Sequence, residues 1–290
     1  MSNGLLRKTA VMLEMIKFQH TIFALPFALT GAILAAQGMP SLQTLALIVA
    51  ASVCARTAAM SFNRWADAAL DARNPRTSNR AIPAGELRRP FVLAVALGSA
   101  VLFVGCAAML NRLAFWLSPV ALVVLLGYSY TKHFTSLAHF VLGMALGIAP
   151  VGAWIAVRGD ITATPVLLGL GVMVWTAGFD LIYACQDYEF DVREGLYSIP
   201  ARIGIARALL LSRVLHILAV ATFIGAGLAF GAGTLYFIGV GAVAILLVTE
   251  HLIVNPRDLS RINVAFFTVN SWVGMVIFAA TAADLWMKSR

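Results

Sequence analysis

The chain has 290 residues, 61% of them hydrophobic and 12% charged, with a formal net charge of +8. Soluble domains carry about 25% charged residues, so the composition excludes an ordinary water-soluble domain and fits a helical bundle whose solvent is lipid. The positive balance does not point to nucleic acid, because the basic residues lie in short loops between apolar runs rather than along one stripe.

Taken in chain order, Leu5 to Lys17 mixes apolar residues with Arg7, Lys8, Glu14 and Lys17, the pattern of an interfacial amphipathic helix. Runs of about 20 apolar residues suit bilayer crossings. Nine follow: Phe18–Ala36, Leu42–Ser61, Pro90–Leu110, Leu113–Tyr130, Leu137–Val157, Pro165–Tyr183, Ala208–Leu228, Thr234–Glu250 and Val264–Trp286. The first carries no small-residue cleavage pattern and is expected to stay as a span. No linker or low-complexity tract divides the chain, so residues 1–290 are expected to form one domain. Cys54, Cys106 and Cys185 are scattered and give neither a metal spacing nor a disulfide framework; they read as packing residues.

Alternating the loops puts fifteen basic residues on one side and four on the other. The positive-inside rule then predicts a multi-pass protein of the inner, cytoplasmic membrane, with the N-terminus in the cytoplasm and the C-terminus outside.

The acidic residues carry the chemistry. Only 13 are present, and seven of them, Asp67, Asp71, Glu86, Asp187, Glu189, Asp191 and Glu194, fall in two polar loops after the second and sixth spans. Residues four apart share a helix face, so Asn63, Asp67 and Asp71 form one stripe. Tyr183, Asp187 and Asp191 form a second, which Asp180 extends backwards. Like charges at this spacing repel, and a doubled carboxylate stripe needs a compensating cation. Aspartate oxygens suit Mg²⁺, which shares its coordination with water and phosphate, so a Mg²⁺-bridged diphosphate is the implied ligand. The bland alternative, solvated loop charges beside Arg64, Arg73, Arg76 and Arg193, accounts less well for two stripes of equal spacing at span ends.

Basic residues fit the same reading. Lys132 follows Tyr128 by four and shares its face, and both can serve phosphate oxygens; Arg73, Arg76 and Arg80 could cap a diphosphate. Arg56 lies inside the second span, where an ionised residue is costly and marks function. It stands two turns before Asn63 on the same stripe and could bind the carboxylate of an aromatic acid. His20 reads as interfacial, Arg213 and His216 as snorkelling side chains, and Asp160 and Asp284 as solvated on the far side. A transporter using the aspartates as cation sites is the rival class, although transporters place coupling charges nearer the midplane.

Asn63-x-x-x-Asp67-x-x-x-Asp71, followed by Asn79-Arg80 and Pro83-Ala84-Gly85, resembles the first signature of the UbiA superfamily of intramembrane prenyltransferases. Tyr183 with Asp187-x-x-x-Asp191, then Ser198, Ala201 and Gly204, resembles the second, and Tyr128-x-x-x-Lys132 is similar to the element between them. The resemblance spans nearly the whole chain. It implies an all-α bundle of nine transmembrane helices, with a central cavity open laterally to lipid beneath cytoplasmic cap loops. It further implies that Asp67, Asp71, Asp187 and Asp191, with Asn63, hold Mg²⁺ and a polyprenyl diphosphate. Asn63, Tyr128, Lys132, Arg73, Arg80 and Tyr183 would contact that diphosphate, and Arg56 the acceptor. Within the superfamily, Arg56 and the Asn-Arg-x-x-Pro-Ala-Gly run are most similar to enzymes that prenylate 4-hydroxybenzoate for ubiquinone-type quinones. Lys132–His139 and Phe179–Asp191 also resemble a branch linked to 1,4-dihydroxy-6-naphthoate in menaquinone synthesis. The second signature departs from many members in continuing Val192-Arg193-Glu194, which leaves Glu189 and Glu194 as auxiliaries without an assigned role.

Overall fold

A backbone amide in lipid has only its own chain to bond to, so apolar runs of bilayer length become helices. The computed structural model describes residues 10–16 and 21–290. Of the expected amphipathic helix, residues 10–15 form α1, and Arg7, Lys8 and Lys17, like His20, lie outside the described residues. Met15 and Ile16 at its end are buried with Ala81, Leu87 and Val92, which docks the segment on the loop after the second span.

The remaining helices are α2 (Thr21–Ala36), α3 (Leu42–Arg73), α4 (Arg89–Leu110), α5 (Arg112–Thr131), α6 (Ala138–Arg158), α7 (Ala163–Ala184), α8 (Tyr188–Glu194), α9 (Ile199–Ile203), α10 (Ile205–Phe230), α11 (Thr234–Ile253) and α12 (Asn270–Lys288). Eight of these segments are long and apolar enough to cross a membrane, and α2 is a shorter apolar helix in the first span position. The nine-span reading therefore matches the bundle. The close junction between the third and fourth spans is real: Asn111 ends α4 and caps α5, its side chain accepting from the Ala114 N–H at 2.9 Å.

Chain neighbours pack side by side from α3 to α7, on to α10, α11 and α12, and α2 lies between α6 and α12. α7 is the most thoroughly buried span. α6 reaches it through small residues: a side chain at Gly143 would stand 2.2 Å from the Met173 carbonyl oxygen, and one at Gly147 2.5 Å from that of Gly169. Such close approach is the usual packing device where lipid removes the hydrophobic drive between helices. The outer faces of α4, α5, α10 and α11 expose Val101, Val123, Ile217 and Ile245, as a lipid-facing wall requires.

Two features correct the sequence reading away from the cap. His216 is not a snorkelling residue but fully inside, its Nδ1 at 2.9 Å from His251 Nε2 and 3.6 Å from Glu250. Glu250 in turn accepts from Asn270 Nδ2 at 2.7 Å, and Asn270 accepts from Trp175 Nε1 at 2.8 Å, so one polar cluster ties α7, α10, α11 and α12 together. Asp284 is likewise buried, not solvated: it accepts from the Gly233 N–H at 2.7 Å and pairs with Lys288.

α3 has 32 residues and is therefore about 48 Å long, against roughly 30 Å of hydrocarbon. Its last turns carry the first aspartate stripe. The α7–α8 segment carries the second at the same end of the bundle, and the loops between them make the cap.

Candidate active site

A cavity of about 630 Å³ lies beneath this cap. It is lined by α3 (Arg56, Asn63, Arg64, Asp67, Asp71), the end of α5 (Tyr128, Lys132), the start of α6 (His139), the end of α7 (Asp180, Tyr183) and the segment holding Asp187 and Asp191. Arg76, Asn79 and Arg80 reach it from the loop after α3. Its size is that of a small-molecule site.

The first stripe forms as spaced. Asp67 and Asp71 are one helical turn apart and only 4% and 6% exposed. Asn63 Nδ2 donates to Asp67 Oδ2 at 2.9 Å, Arg64 Nη1 donates to Asn63 Oδ1 at 3.2 Å, and Lys132 Nζ reaches Asp67 Oδ2 at 2.6 Å. Arg80 Nη1 donates to Asp71 Oδ1 at 2.7 Å. Each aspartate keeps one buried oxygen with no hydrogen-bond partner, Oδ1 of Asp67 and Oδ2 of Asp71. A buried carboxylate oxygen left unmatched is costly, and here two of them belong to side chains lining one cavity.

The second stripe departs from the expected regular helix. α7 tightens into a three-residue 3-10 turn, Cys185–Asp187, before α8 resumes. Asp187 and Asp191 still line the cavity, but the stripe is not one α-helical face. Asp187 has both oxygens engaged: Arg76 Nε donates to Oδ1 at 2.9 Å and Nη2 to Oδ2, and Asn74 Nδ2 adds a bond at 3.2 Å. Arg76 Nη1 also donates to the Tyr183 hydroxyl at 3.1 Å. Burial alone would lower the Arg76 guanidinium pKa, but the hydrogen bonds and charge of Asp187 outweigh it and hold the value above the ordinary one.

The compensating cations of this structure are thus Lys132, Arg80 and Arg76. Lys132 and Arg80, expected on a diphosphate, instead hold carboxylates at the same cavity. Arg73 faces away: it pairs with Glu194 at 2.7 Å, with its side chain 58% exposed, and does not line the cavity. That contact joins the end of α3 to the end of α8 and gives Glu194 a structural partner.

Several signature residues shape the cap, and Ser198 among them also lines the cavity. Gly85 adopts φ +74°, where a side chain would be strained. Ser198 caps α9 by accepting from the Ala201 N–H at 3.3 Å, and Gly204, at φ +82°, turns the chain into α10. The Tyr197 N–H donates to the Lys132 carbonyl at 2.9 Å, pinning the α8–α9 loop to the end of α5.

Three cavity groups take roles that the sequence reading did not give them. Arg64 is buried, not a solvated neighbour. Arg76 is the bidentate partner of Asp187. His139 Nδ1 lies 2.7 Å from Asp180 Oδ2, a pairing of α6 with α7. Asp180 was detectable as a carboxylate within an apolar span; its partner, 41 positions away, was not.

Among the described residues no three or more His, Cys, Asp or Glu side chains converge as a ready metal cluster. The two unpartnered oxygens of Asp67 and Asp71 are nevertheless hard donors of the kind Mg²⁺ takes, one or two carboxylates at a time, with water and phosphate completing the shell. The donor set fits such an ion.

Residues 24–272 match the UbiA prenyltransferase family model. A 4-hydroxybenzoate octaprenyltransferase of Pseudomonas fluorescens is 31% identical over 255 residues, 87% of this chain and 84% of that protein. One of Aromatoleum aromaticum is 30% identical over 254 residues, 87% and 85% of the two chains. The apo structure of a UbiA homolog from Aeropyrum pernix superposes with a TM-score of 0.83 at 33% identity, covering 92% of this chain and 98% of that one. A UbiA homolog from Archaeoglobus fulgidus bound to GPP and Mg²⁺ shares the fold at a TM-score of 0.66 and 20% identity, covering 94% and 99%. With its apolar spans, its aspartate-lined cavity and these relatives, the chain belongs to the UbiA prenyltransferase family and is a multi-pass membrane transferase of prenyl groups.

Proposed function

We propose that the protein transfers a polyprenyl group from an isoprenoid diphosphate to a ring carbon of an aromatic carboxylic acid, with 4-hydroxybenzoate as acceptor and Mg²⁺ as metal. The observation that carries this reading is the pair of buried, unpartnered oxygens on Asp67 and Asp71, in a cavity that also holds Arg56. Arg56 precedes Asn63 by seven residues on one helix, about 10 Å deeper. Names of relatives that use 4-hydroxybenzoate support the acceptor.

Asp67, Asp71, Asp187 and Asp191 are the metal ligands in this reading, with Asn63 orienting Asp67. The chemistry a bound Mg²⁺ supplies is neutralisation of charge on the diphosphate as the allylic C–O bond breaks. Lys132, Arg80 and Arg76 are hydrogen-bonded to carboxylates that would hold the metal, so their N–H groups would be available to phosphate oxygens once those carboxylates were engaged, with Tyr128 and Tyr183 beside them. Phe179 and Phe266 border the cavity and help keep water from an allylic cation. Arg56 binds the acceptor carboxylate and aims the carbon ortho to the hydroxyl at that cation. The prenyl tail stays in the bundle and bilayer. The cap lies on the basic side of the protein, which supports a cytoplasmic-membrane location with the N-terminus inside and the C-terminus outside.

A second acceptor, 1,4-dihydroxy-6-naphthoate, is supported by the way the Lys132–His139 and Phe179–Asp191 runs meet through the His139–Asp180 contact at the cavity wall. Both acids carry a carboxylate for Arg56, so one assay decides. Membranes containing the protein are given geranyl diphosphate, Mg²⁺ and either acid, beside an Asp71→Ala/Asp191→Ala control. A Mg²⁺-dependent prenylated acid, absent in the control, is the expected result, and the preferred acid names the acceptor. Diphosphate release without product from either acid would move the acceptor elsewhere.

A further inference from the structure

The cavity holds one carboxylate that the diphosphate reading leaves idle. Asp180 lies on α7 seven residues before Asp187, so it stands about 10 Å deeper than the second motif. Arg56 is deeper than Asn63 by the same number of residues on α3. Both helices run toward the cap, so Arg56 and Asp180 lie at matching depth on two walls of one cavity. α3 packs chiefly on α4 and α5, and α7 on α6 and α10, so the two walls belong to different parts of the bundle.

Asp180 is also held. The Ile199 N–H points at His139 Nε2 at 3.5 Å, which makes that nitrogen the acceptor and leaves the hydrogen on Nδ1. Nδ1–H then donates to Asp180 Oδ2 at 2.7 Å. His139 is nearly enclosed, with its side chain 6% exposed, whereas that of Asp180 is 21% exposed and lines the cavity. One oxygen is thus fixed by a buried imidazole, and Oδ1 is not among the buried oxygens without a partner. A carboxylate oriented by a buried histidine and open to a ligand cavity is the arrangement of a general base with its positioning residue.

We infer that Asp180, oriented by His139, takes the hydroxyl proton of the aromatic acceptor. This rests on the aromatic-acid reading above. With the acceptor carboxylate on Arg56, its para hydroxyl is carried across the cavity, away from the α3 wall. Transfer of that proton to Asp180 leaves the O–H bonding pair on oxygen and raises electron density at the ortho carbon. As the allylic C–O bond breaks, its pair leaves with the diphosphate, and the ortho carbon forms the new C–C bond. The ring hydrogen of that carbon then moves to the ring oxygen and restores the phenol. The net proton released stays on Asp180 until it passes to water or the departing diphosphate. Asp180 is the catalytic residue in this account, and His139 acts through it.

The test uses full-length protein in membranes with geranyl diphosphate, Mg²⁺ and the preferred acid. Asp180→Asn is close to isosteric and is expected to lower kcat by about 10²-fold, in the range general-base groups contribute, with the KM for geranyl diphosphate changed less than about threefold. An acceptor fluorinated beside its hydroxyl, and so more acidic, is expected to be prenylated by Asp180→Asn much closer to the unaltered rate, because it needs less help in losing its proton. A purely structural role would slow both acceptors equally. His139→Gln retains an N–H for Asp180 and is expected to lose less, about 10-fold, with the same relief by the fluorinated acid; it also carries the test should Asp180→Asn not accumulate. An unchanged kcat in Asp180→Asn, or equal losses with both acceptors in both variants, overturns the assignment while leaving the aromatic-acid reading intact. Failure of the unaltered protein to prenylate either acid overturns that reading, and this assignment with it.

Discussion

The two aspartate-bearing regions look alike in sequence and are built differently. Asp67 and Asp71 sit on one unbroken helix of 32 residues, each held at one oxygen and bare at the other. Asp187 follows a helix that has tightened into a 3-10 turn, and Arg76 and Asn74 occupy both its oxygens. In the proposed reading, the first region would accept a cation as it stands, whereas the second would have to exchange Arg76 for one. On that reading the unbroken helix would supply the preformed half of the site and the jointed segment the half that adjusts, the division expected where one shell of a site is preorganised.

The largest effect should separate the two halves. Asp67→Asn or Asp71→Asn is expected to cut kcat by about 10³-fold, since each removes a preset oxygen with nothing nearby to replace it. Asp187→Asn is expected to cost less, about 10²-fold, because its oxygens are already committed to Arg76 before the donor arrives. Chelating Mg²⁺ should abolish product and re-addition restore it. Equal losses at Asp67 and Asp187 in steady-state assays would break the comparison.

Next comes the depth of the two functions on α3. Arg56→Gln should raise the KM for the aromatic acid by about 10- to 100-fold, the loss of roughly 1.5–3 kcal/mol of charged hydrogen bonding, while the KM for the prenyl diphosphate stays put. A matching rise in the donor KM would mean that Arg56 serves the diphosphate and that the deep end of α3 is no separate subsite. Smaller again, Arg76→Lys keeps the charge and loses the two-pronged grip on Asp187. About a 5- to 10-fold fall in kcat/KM for the donor is expected; no change would mean that the second region needs no Arg76 to hold it ready.

Much of this was legible in the sequence. Spans, loop charge and the Asn63–Asp67–Asp71 face follow from hydropathy and a 3.6-residue period, which are local. What stayed hidden depends on chain segments far apart. Arg76 reaches Asp187 across 111 positions, and His139 reaches Asp180 across 41. The polar cluster of Glu250, Asn270, Trp175 and His216 was hidden for the same reason, since it joins residues from four helices. The regular second stripe failed for a different reason, since a 3-10 step changes the angle between Tyr183 and Asp187 without altering their spacing. The Pro83-Ala84-Gly85 run matched a signature whose physical basis, at Gly85, is a backbone angle and not a ligand.

Arg73 gives the smallest effect and a sharp check on how far a motif's neighbours inherit its role. It lies two residues after Asp71, a rotation of about 200° on a helix, so the spacing that brings Asp67 and Asp71 to the cavity turns Arg73 away from it. Its partner is Glu194 at 2.7 Å, in a pair whose arginine is 58% exposed. Exposed pairs of this kind contribute about 0–1 kcal/mol. Arg73→Ala is therefore expected to leave both KM values and kcat within about twofold and to lower thermal stability in detergent only slightly, whereas Arg80→Ala, three-quarters buried on Asp71, should impair donor use. If Arg73→Ala instead weakened the donor as much as Arg80→Ala, the outward face of α3 would have to join the site when substrate binds, and the stiff half of the molecule would be the half that moves.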